Sequence, residues 1–202
     1  PVYYERALED AFTFVAGKEK DALPEPETKG MNLSFKSKAD KPGGYKALVG
    51  GKVVTMRDAD NTQEVIENGV VLIRHNRIEA VGSLDDITIP DDAMRIDTRG
   101  KTIIPGLVDA HAHGSQGRNE IIPQQNWGQF ANVAFGVTTI HDPSNDTTEI
   151  FAASELQRHG DIIAPRIYST GAILYGAESL GYKAIINNYD DAYFHVERLK
   201  EA

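Results

Sequence analysis

The stretch that decides the fold runs from Pro105 to His113 and reads Pro-Gly-Leu-Val-Asp-Ala-His-Ala-His. An apolar run of this kind is typical of a buried strand, and side chains two apart on a strand point to the same face. We therefore expect residues 107–113 to form a buried strand that presents His111 and His113 on one side, with Asp109 below them.

This histidine pair is a candidate metal site. Imidazole is a favoured ligand of zinc and related ions, and two imidazoles on one rigid strand form a preorganised pair. Zinc generally takes at least three protein ligands, so His111 and His113 can make only part of a site. A strand end with two partly exposed structural histidines would give the same pattern, and the residues alone leave that alternative open.

The segment before the decisive stretch predicts a small β-rich domain over residues 45–105. Gly50-Gly51 separates its first two strands, and His75-Asn76 joins the central pair, where Asn tolerates the left-handed conformation of a tight hairpin. Short strands with turns this closely spaced indicate a β-sandwich or β-roll. The predicted strands are residues 47–49, 53–56, 70–74, 77–81, 94–97 and 102–104.

The segment after it, residues 106–202, predicts strands alternating with helices. Further strands are expected at 137–141 and 162–169. Helices are expected at 124–135, after Asp146 with Glu149 as its capping-box partner, and after Asp190. This alternation indicates βα units and a parallel sheet, hence an α/β fold. Residues 1–44 predict strand material, including Phe12 and Phe14, and an extended Pro-rich linker at 23–27.

Composition narrows the functional classes. The 202 residues are 41% hydrophobic and 25% charged, which is typical of a soluble globular protein. A net charge of −9 argues against a nucleic-acid partner, and the absence of cysteine leaves only His and carboxylates for a transition-metal site. No apolar run is long enough to span a membrane and no signal peptide is visible, while the chain opens at Pro1 without Met. The location is therefore left open.

Several blocks, in this order and spacing, resemble a known family. Residues 70–73 (Val-Val-Leu-Ile), 77–82 (Arg-Ile-Glu-Ala-Val-Gly), 96–101 (Ile-Asp-Thr-Arg-Gly-Lys) and 105–113 are similar to the N-terminal signature of the amidohydrolase superfamily, metal-dependent hydrolases such as imidazolonepropionase and prolidase. Residues 136–142 resemble the second barrel strand of that family and residues 165–167 its third. Residues 171–177 are similar to members fused behind a TolB-like β-propeller, in which case residues 1–20 would be the tail of the propeller and a periplasmic location would be compatible.

The resemblance implies a (β/α)8 TIM-like barrel preceded by a small β-sandwich, with three parts in this chain: residues 1–44, 45–105, and the first three βα units at 106–202. It implies one or two divalent metal ions, with zinc expected, held in part by His111 and His113. The metal would polarise a scissile carbonyl and lower the pKa of its bound water toward about 7. The reaction would be hydrolysis of amide, peptide-like or cyclic-amide C–N bonds in a small-molecule or peptide-like substrate.

The resemblance also implies that the barrel is incomplete here. The family's bridging lysine or acid, its later histidines and its last-strand Asp have no counterpart in residues 113–202. We therefore expect the catalytic residues beyond residue 202, an inactive fragment when alone, and a need for the remaining barrel from the same or another chain. Asp109, His141 and Asp142 are candidate pocket residues.

The sequence leaves three functional alternatives. One is a related deaminase, and another is a hydrolase restricted to cyclic amides. The third is a non-catalytic binding module that kept the barrel scaffold and lost its metal ligands.

Overall fold

We describe a computed structural model of the chain, which covers residues 2–5, 29–57, 64–178, 181 and 183–201. The chain divides into two compact units, Pro1–Lys38 and Ala39–Ala202. In the first unit, strand β1 (Val2–Tyr3) pairs antiparallel with strand β2 (Met31–Asn32). The predicted strand material at Phe12 and Phe14 and the Pro-rich linker lie outside the described residues.

The second unit begins with a five-stranded sheet made of β3 (Tyr45–Val54), β4 (Val65–Arg74), β5 (Arg77–Ser83), β6 (Met94–Asp97) and β7 (Thr102–Ile103). The strand order is β5-β4-β3-β6, and β7 also pairs with β3. Neighbours β4 and β3 are antiparallel, as are β4 and β5, whereas β6 and β7 run parallel to β3. The sequence predicted these strands but divided β3 in two. Gly50-Gly51 instead forms irregularities inside one continuous strand, because Gly50 adopts a φ of 87°.

The hairpin between β4 and β5 differs in one detail from the prediction. His75, not Asn76, takes the left-handed conformation, with a φ of 56°. The backbone N–H of His75 donates to the carbonyl of Gly44 over 2.9 Å, which ties the turn to the start of β3.

One face of this sheet carries a small core. Ala47, Val70 and Leu72 are buried against Ile89, which comes from the segment between β5 and β6. Among the described residues that segment, and not a second sheet, covers the core, so a two-layer sandwich stays a prediction.

The site is positioned by a second, parallel sheet. Its strands are β8 (Leu107–Asp109), β9 (Val137–Asp142) and β10 (Arg166–Ser169), in the order β10-β9-β8. Helix α1 (Trp127–Ala134) connects β8 to β9, and helix α2 (Thr147–His159) connects β9 to β10. This alternation of parallel strands and helices confirms the predicted mixed α/β class. Beyond it lie β11 (Ile173–Tyr175), its parallel partner β12 (Lys183–Ile185), and helix α3 (Tyr189–Glu201).

The ends of the helices test the predicted caps. Asp146 caps α2 as predicted, since its carboxylate accepts from the backbone N–H groups of Thr148 and Glu149, and Gly160 ends the helix with a φ of 101°. Helix α1 begins three residues later than the predicted residue 124 and is capped by Asn126, for which no prediction was made. The predicted Asp190 cap was wrong by two residues. In α3 the side chain of Asn188, not Asp190, accepts from the N–H of Asp191, at 2.9 Å.

Strand β8 is shorter and more exposed than predicted. It ends at Asp109, and Val108 is 65% exposed. The physical reason is that β8 is an edge strand among the described residues, with β9 on one side only. The two histidines therefore lie in the turn after the strand. None of the described helices is both long enough and apolar enough to cross a membrane.

The ion pair between Asp97 and Arg99, at the end of β6, leads to a prediction about the effect of pH. The Arg99 side chain, at 2.6 Å from Nη2 to Oδ2, and the Arg99 backbone N–H together hold the pKa of Asp97 at about 2, below its usual 3.8. Because the folded pKa is depressed, the stabilisation from this pair is present above pH 3.8 and is lost as the pH falls toward 2. We expect an NMR titration of the Asp97 carboxyl carbon to give a midpoint near 2, rising toward 3.8 in Arg99→Leu. Equal midpoints in the two proteins would contradict this account.

Candidate metal centre

The turn that carries the two histidines is held against strand β9. The backbone N–H of Ala112 donates to the carbonyl of His141 at 2.9 Å, which continues the contact between β8 and β9 beyond the end of the ladder. The carboxylate of Asp109 accepts from the backbone N–H of His111 at 3.0 Å and so closes the start of the turn. His141 is half-buried, and its Nδ1 lies 3.4 Å from the carbonyl oxygen of Ala110. The turn is therefore fixed from both sides.

This turn brings the two imidazoles together. The Nε2 atoms of His111 and His113 lie 3.0 Å apart, and the ring planes cross at 77°. Two nitrogen ligands at 2.0–2.1 Å from one tetrahedral ion would lie about 3.3 Å apart. The observed separation is close to that value. The pair would therefore fit as two ligands of a single divalent ion if the two Nε2 atoms moved slightly apart.

The second ring nitrogen of His113 faces a buried carboxylate. Its Nδ1 lies 3.4 Å from Oδ1 of Asp142, a side chain with no exposed surface. Asp142 also accepts from the backbone N–H of Ser144 at 3.0 Å and from Nδ2 of Asn145 at 2.7 Å. Of the predicted site residues, the structure thus brings together His111, His113 and Asp142, with Asp142 behind His113.

A cavity of about 480 Å³ opens beside the pair. Neither Asp109, His141 nor Asp142 is among the residues that line it. Its walls are mostly apolar, and Ser144 and Thr170 add two hydroxyl groups. The lining residues are His111, His113, Pro143, Ser144, Thr170, Ala172, Ile173, Leu174 and Leu199.

The pair is not extended into a larger ligand set by its neighbours. In the part of the chain that the structure describes, no group of three or more His, Cys, Asp or Glu side chains could hold a metal ion. The Asp142 carboxylate contacts Nδ1 of His113 and not the space between the two Nε2 atoms. The described residues therefore supply two ligands.

Sequence reasoning missed Asn145. This residue is 6% exposed, and its Nδ2 donates both to Asp142 and to the carbonyl of Gly114, each at 2.7 Å. The sequence signal was its position three residues after Asp142, at the carboxyl end of a strand where functional side chains gather.

No protein-family model matches the chain. Curated relatives do match it. A 5-methylthioadenosine/S-adenosylhomocysteine deaminase of Halothermothrix orenii is 24% identical over 135 residues, which is 64% of this chain and 31% of the relative. A guanine deaminase of Escherichia coli is 37% identical over 79 residues (35% and 18%), and an imidazolonepropionase of a Bradyrhizobium species is 43% identical over 63 residues (31% and 16%).

Solved structures agree with these relatives at the level of the fold. A Bifidobacterium longum protein assigned as a prolidase superposes with a TM-score of 0.59 at 24% identity, over 78% of this chain and 38% of its own. A Xaa-Pro dipeptidase superposes with a TM-score of 0.57 at 20% identity, over 78% and 45%. Together, the curated relatives and the solved structures point to the amidohydrolase superfamily.

The chain spans a third or less of the length of these curated relatives. The resemblance seen in residues 70–113 is confirmed at the level of the superfamily. The likeness to propeller-fused members stays a prediction, because residues 6–28 lie outside the described part of the chain.

Proposed function

We propose that this chain is the N-terminal part of a metal-dependent amidohydrolase that hydrolyses amide, peptide-like or cyclic-amide C–N bonds, with His111 and His113 as two of its metal ligands. The observation that carries the proposal is the 3.0 Å approach of the two Nε2 atoms. They lie just beyond the carboxyl end of a parallel strand, which is the end where barrel enzymes place their active sites. A cavity with mostly apolar walls lies beside them.

The chain's own residues have separate tasks in this proposal. His111 and His113 hold the ion, and Asp109 fixes the turn between strand and ligands through the N–H of His111. Ile173 and Leu174 form an apolar wall that would exclude water around a bound substrate. A divalent ion at the pair, with zinc the expected one of one or two ions, would supply Lewis acidity toward a carbonyl and make water more acidic.

The wider architecture is part of the same proposal. Residues 45–105 would belong to a β-sandwich and residues 106–202 would be the first three βα units of a (β/α)8 barrel, with residues 1–44 as a separate N-terminal segment. The remaining metal ligands and the catalytic base would come from strands outside these 202 residues, in the same or another chain. The chain alone would then bind metal weakly and catalyse no hydrolysis.

A deaminase is the second candidate. The relatives named guanine deaminase and 5-methylthioadenosine/S-adenosylhomocysteine deaminase favour it. Imidazolonepropionase, the name of several other relatives, favours a cyclic-amide substrate instead. A non-catalytic binding module would differ from both by lacking bound metal in the full-length protein.

Metal analysis of the full-length protein tests the proposal. We expect one or two divalent ions per chain, and hydrolysis of at least one substrate in a panel of amides, dipeptides and aminopurines. A chelator should abolish that hydrolysis and zinc should restore it, because the ion activates water. A full-length protein that contains no divalent metal, and whose activity a chelator leaves unchanged, would contradict the proposal.

A further inference from the structure

We propose that Asp142 is a positioning residue for the histidine pair, holding His113 in the tautomer whose Nε2 lone pair faces His111. This inference rests on the proposed function, since it concerns how one ligand is prepared for metal. Asp142 was a candidate pocket residue in the sequence. The structure assigns it a place behind the ligand instead, with no exposed surface and no part in lining the cavity.

The first support is the way the Asp142 carboxylate is surrounded by donors. A buried carboxylate is costly unless hydrogen bonds or a charge partner compensate it. Oδ2 accepts from Nδ2 of Asn145 at 2.7 Å, and Oδ1 accepts from the N–H of Ser144 at 3.0 Å. Nδ1 of His113 approaches the same Oδ1 at 3.4 Å. The carboxylate is thus fixed in orientation, with one oxygen toward His113.

The second support is that hydrogen bonds at both its nitrogen and its oxygen hold the side-chain amide of Asn145 in one orientation. Its Nδ2 donates to the carbonyl of Gly114 as well as to Asp142, and its Oδ1 accepts from the N–H of Asp146 at 2.8 Å. Gly114 directly follows His113. Asn145 therefore ties the backbone beside the ligand to the carboxylate behind it, so that the distance between His113 and Asp142 is set by the loop.

These contacts determine where the protons lie. A carboxylate only accepts hydrogen bonds, so the neutral His113 ring carries its proton on Nδ1 and keeps a lone pair on Nε2. His111 must then donate its own Nε2–H across the 3.0 Å to His113 when no metal is bound. Metal binding requires His111 to move its proton to Nδ1, whereas His113 is already in the ligating form. Substitution of a carboxylate that orients a ligating histidine in this way typically lowers metal affinity by about 10–100-fold.

The tautomers can be read directly from proton–nitrogen NMR correlations of the histidine rings. We would record them in the 202-residue chain without metal, at a pH of about 8.5. We expect the Nδ1–H form at His113 and the Nε2–H form at His111. This measurement needs no variant, so it decides the inference even if substitutions at Asp142 prevent folding.

The matched variants are Asp142→Asn and Asp161→Asn. Oδ2 of Asp161 lies 2.9 Å from Nδ1 of His159. This is a similar His–Asp pair at the end of α2, and it does not line the cavity. In Asp142→Asn one amide N–H must face a donor, so we expect His113 to shift toward the Nε2–H form and zinc affinity to fall by about 10–100-fold. In Asp161→Asn we expect zinc affinity to stay within about twofold of wild type.

Three outcomes separate this inference from the proposed function. A wild-type His113 in the Nε2–H form would overturn the inference. So would an Asp142→Asn chain that keeps both the tautomer and the zinc affinity of wild type, and in that case the proposed metal site would stand. A full-length protein with Nδ1–H at His113 that binds no zinc would overturn the proposed function but support the positioning by Asp142.

Discussion

Replacing both His111 and His113 with alanine should abolish divalent metal binding and leave the chain folded. Two ligands of one ion would be lost together, so we expect zinc affinity to fall by on the order of a hundredfold or more. Both histidines are exposed and lie in a turn outside the hydrophobic core. Substitutions at such positions usually change the free energy of unfolding by less than about 0.5 kcal/mol. Zinc titration calorimetry and urea denaturation of the same samples measure the two quantities.

The control for this variant is His159→Ala. It removes an imidazole from the end of α2, where the ring contacts Asp161 and not the cavity. Its zinc affinity should equal that of wild type. If the double variant binds zinc as tightly as wild type, His111 and His113 are not the ligands. If it unfolds, they have a structural role that their exposure does not indicate.

Replacing Ile150 with alanine should lower the free energy of unfolding by about 2–5 kcal/mol. Ile150 lies in α2 with no exposed surface, and its cluster includes Ile140 from β9 and Ile167 from β10. Truncation removes apolar contacts and leaves a cavity where helix and sheet meet, and the interior cannot fully collapse around it. Urea denaturation followed by circular dichroism measures the change.

The comparison residue for Ile150 is Ile163, which is 54% exposed after α2. Ile163→Ala removes the same atoms without opening a buried cavity, so its effect should be about 0.5 kcal/mol or less. Similar losses in the two variants would show that the cluster beneath β9 and β10 does not stabilise the sheet that positions the site.

Local patterns were sufficient to predict much of the fold. The strands of the β-rich sheet, the parallel βα order and the Asp146 cap all depend on residues close together in the sequence, and each was found. The errors came from tertiary context. Strand β8 lost its predicted burial because only β9 lies beside it among the described residues. Gly50-Gly51 became a strand irregularity because β4 pairs across it on both sides.

The candidate site was predictable only in part for the same reason. The spacing of His111 and His113 was enough to suggest that their rings meet, even though the strand ends before them. The contact between His113 and Asp142 joins residues 29 positions apart, one in the turn after β8 and the other at the end of β9, and no periodicity encodes it. Asn145 was missed because its role depends on a carbonyl 31 positions earlier.

The most direct test of the central claim is anomalous X-ray scattering from crystals of the chain grown with zinc. We expect one anomalous peak between the two imidazoles, at about 2.0–2.1 Å from Nε2 of His111 and from Nε2 of His113. Nδ1 of His113 should remain directed at Asp142. Crystals that show no peak there, or a peak bound by other side chains while the two Nε2 atoms stay in mutual contact, would contradict the assignment of these histidines as metal ligands.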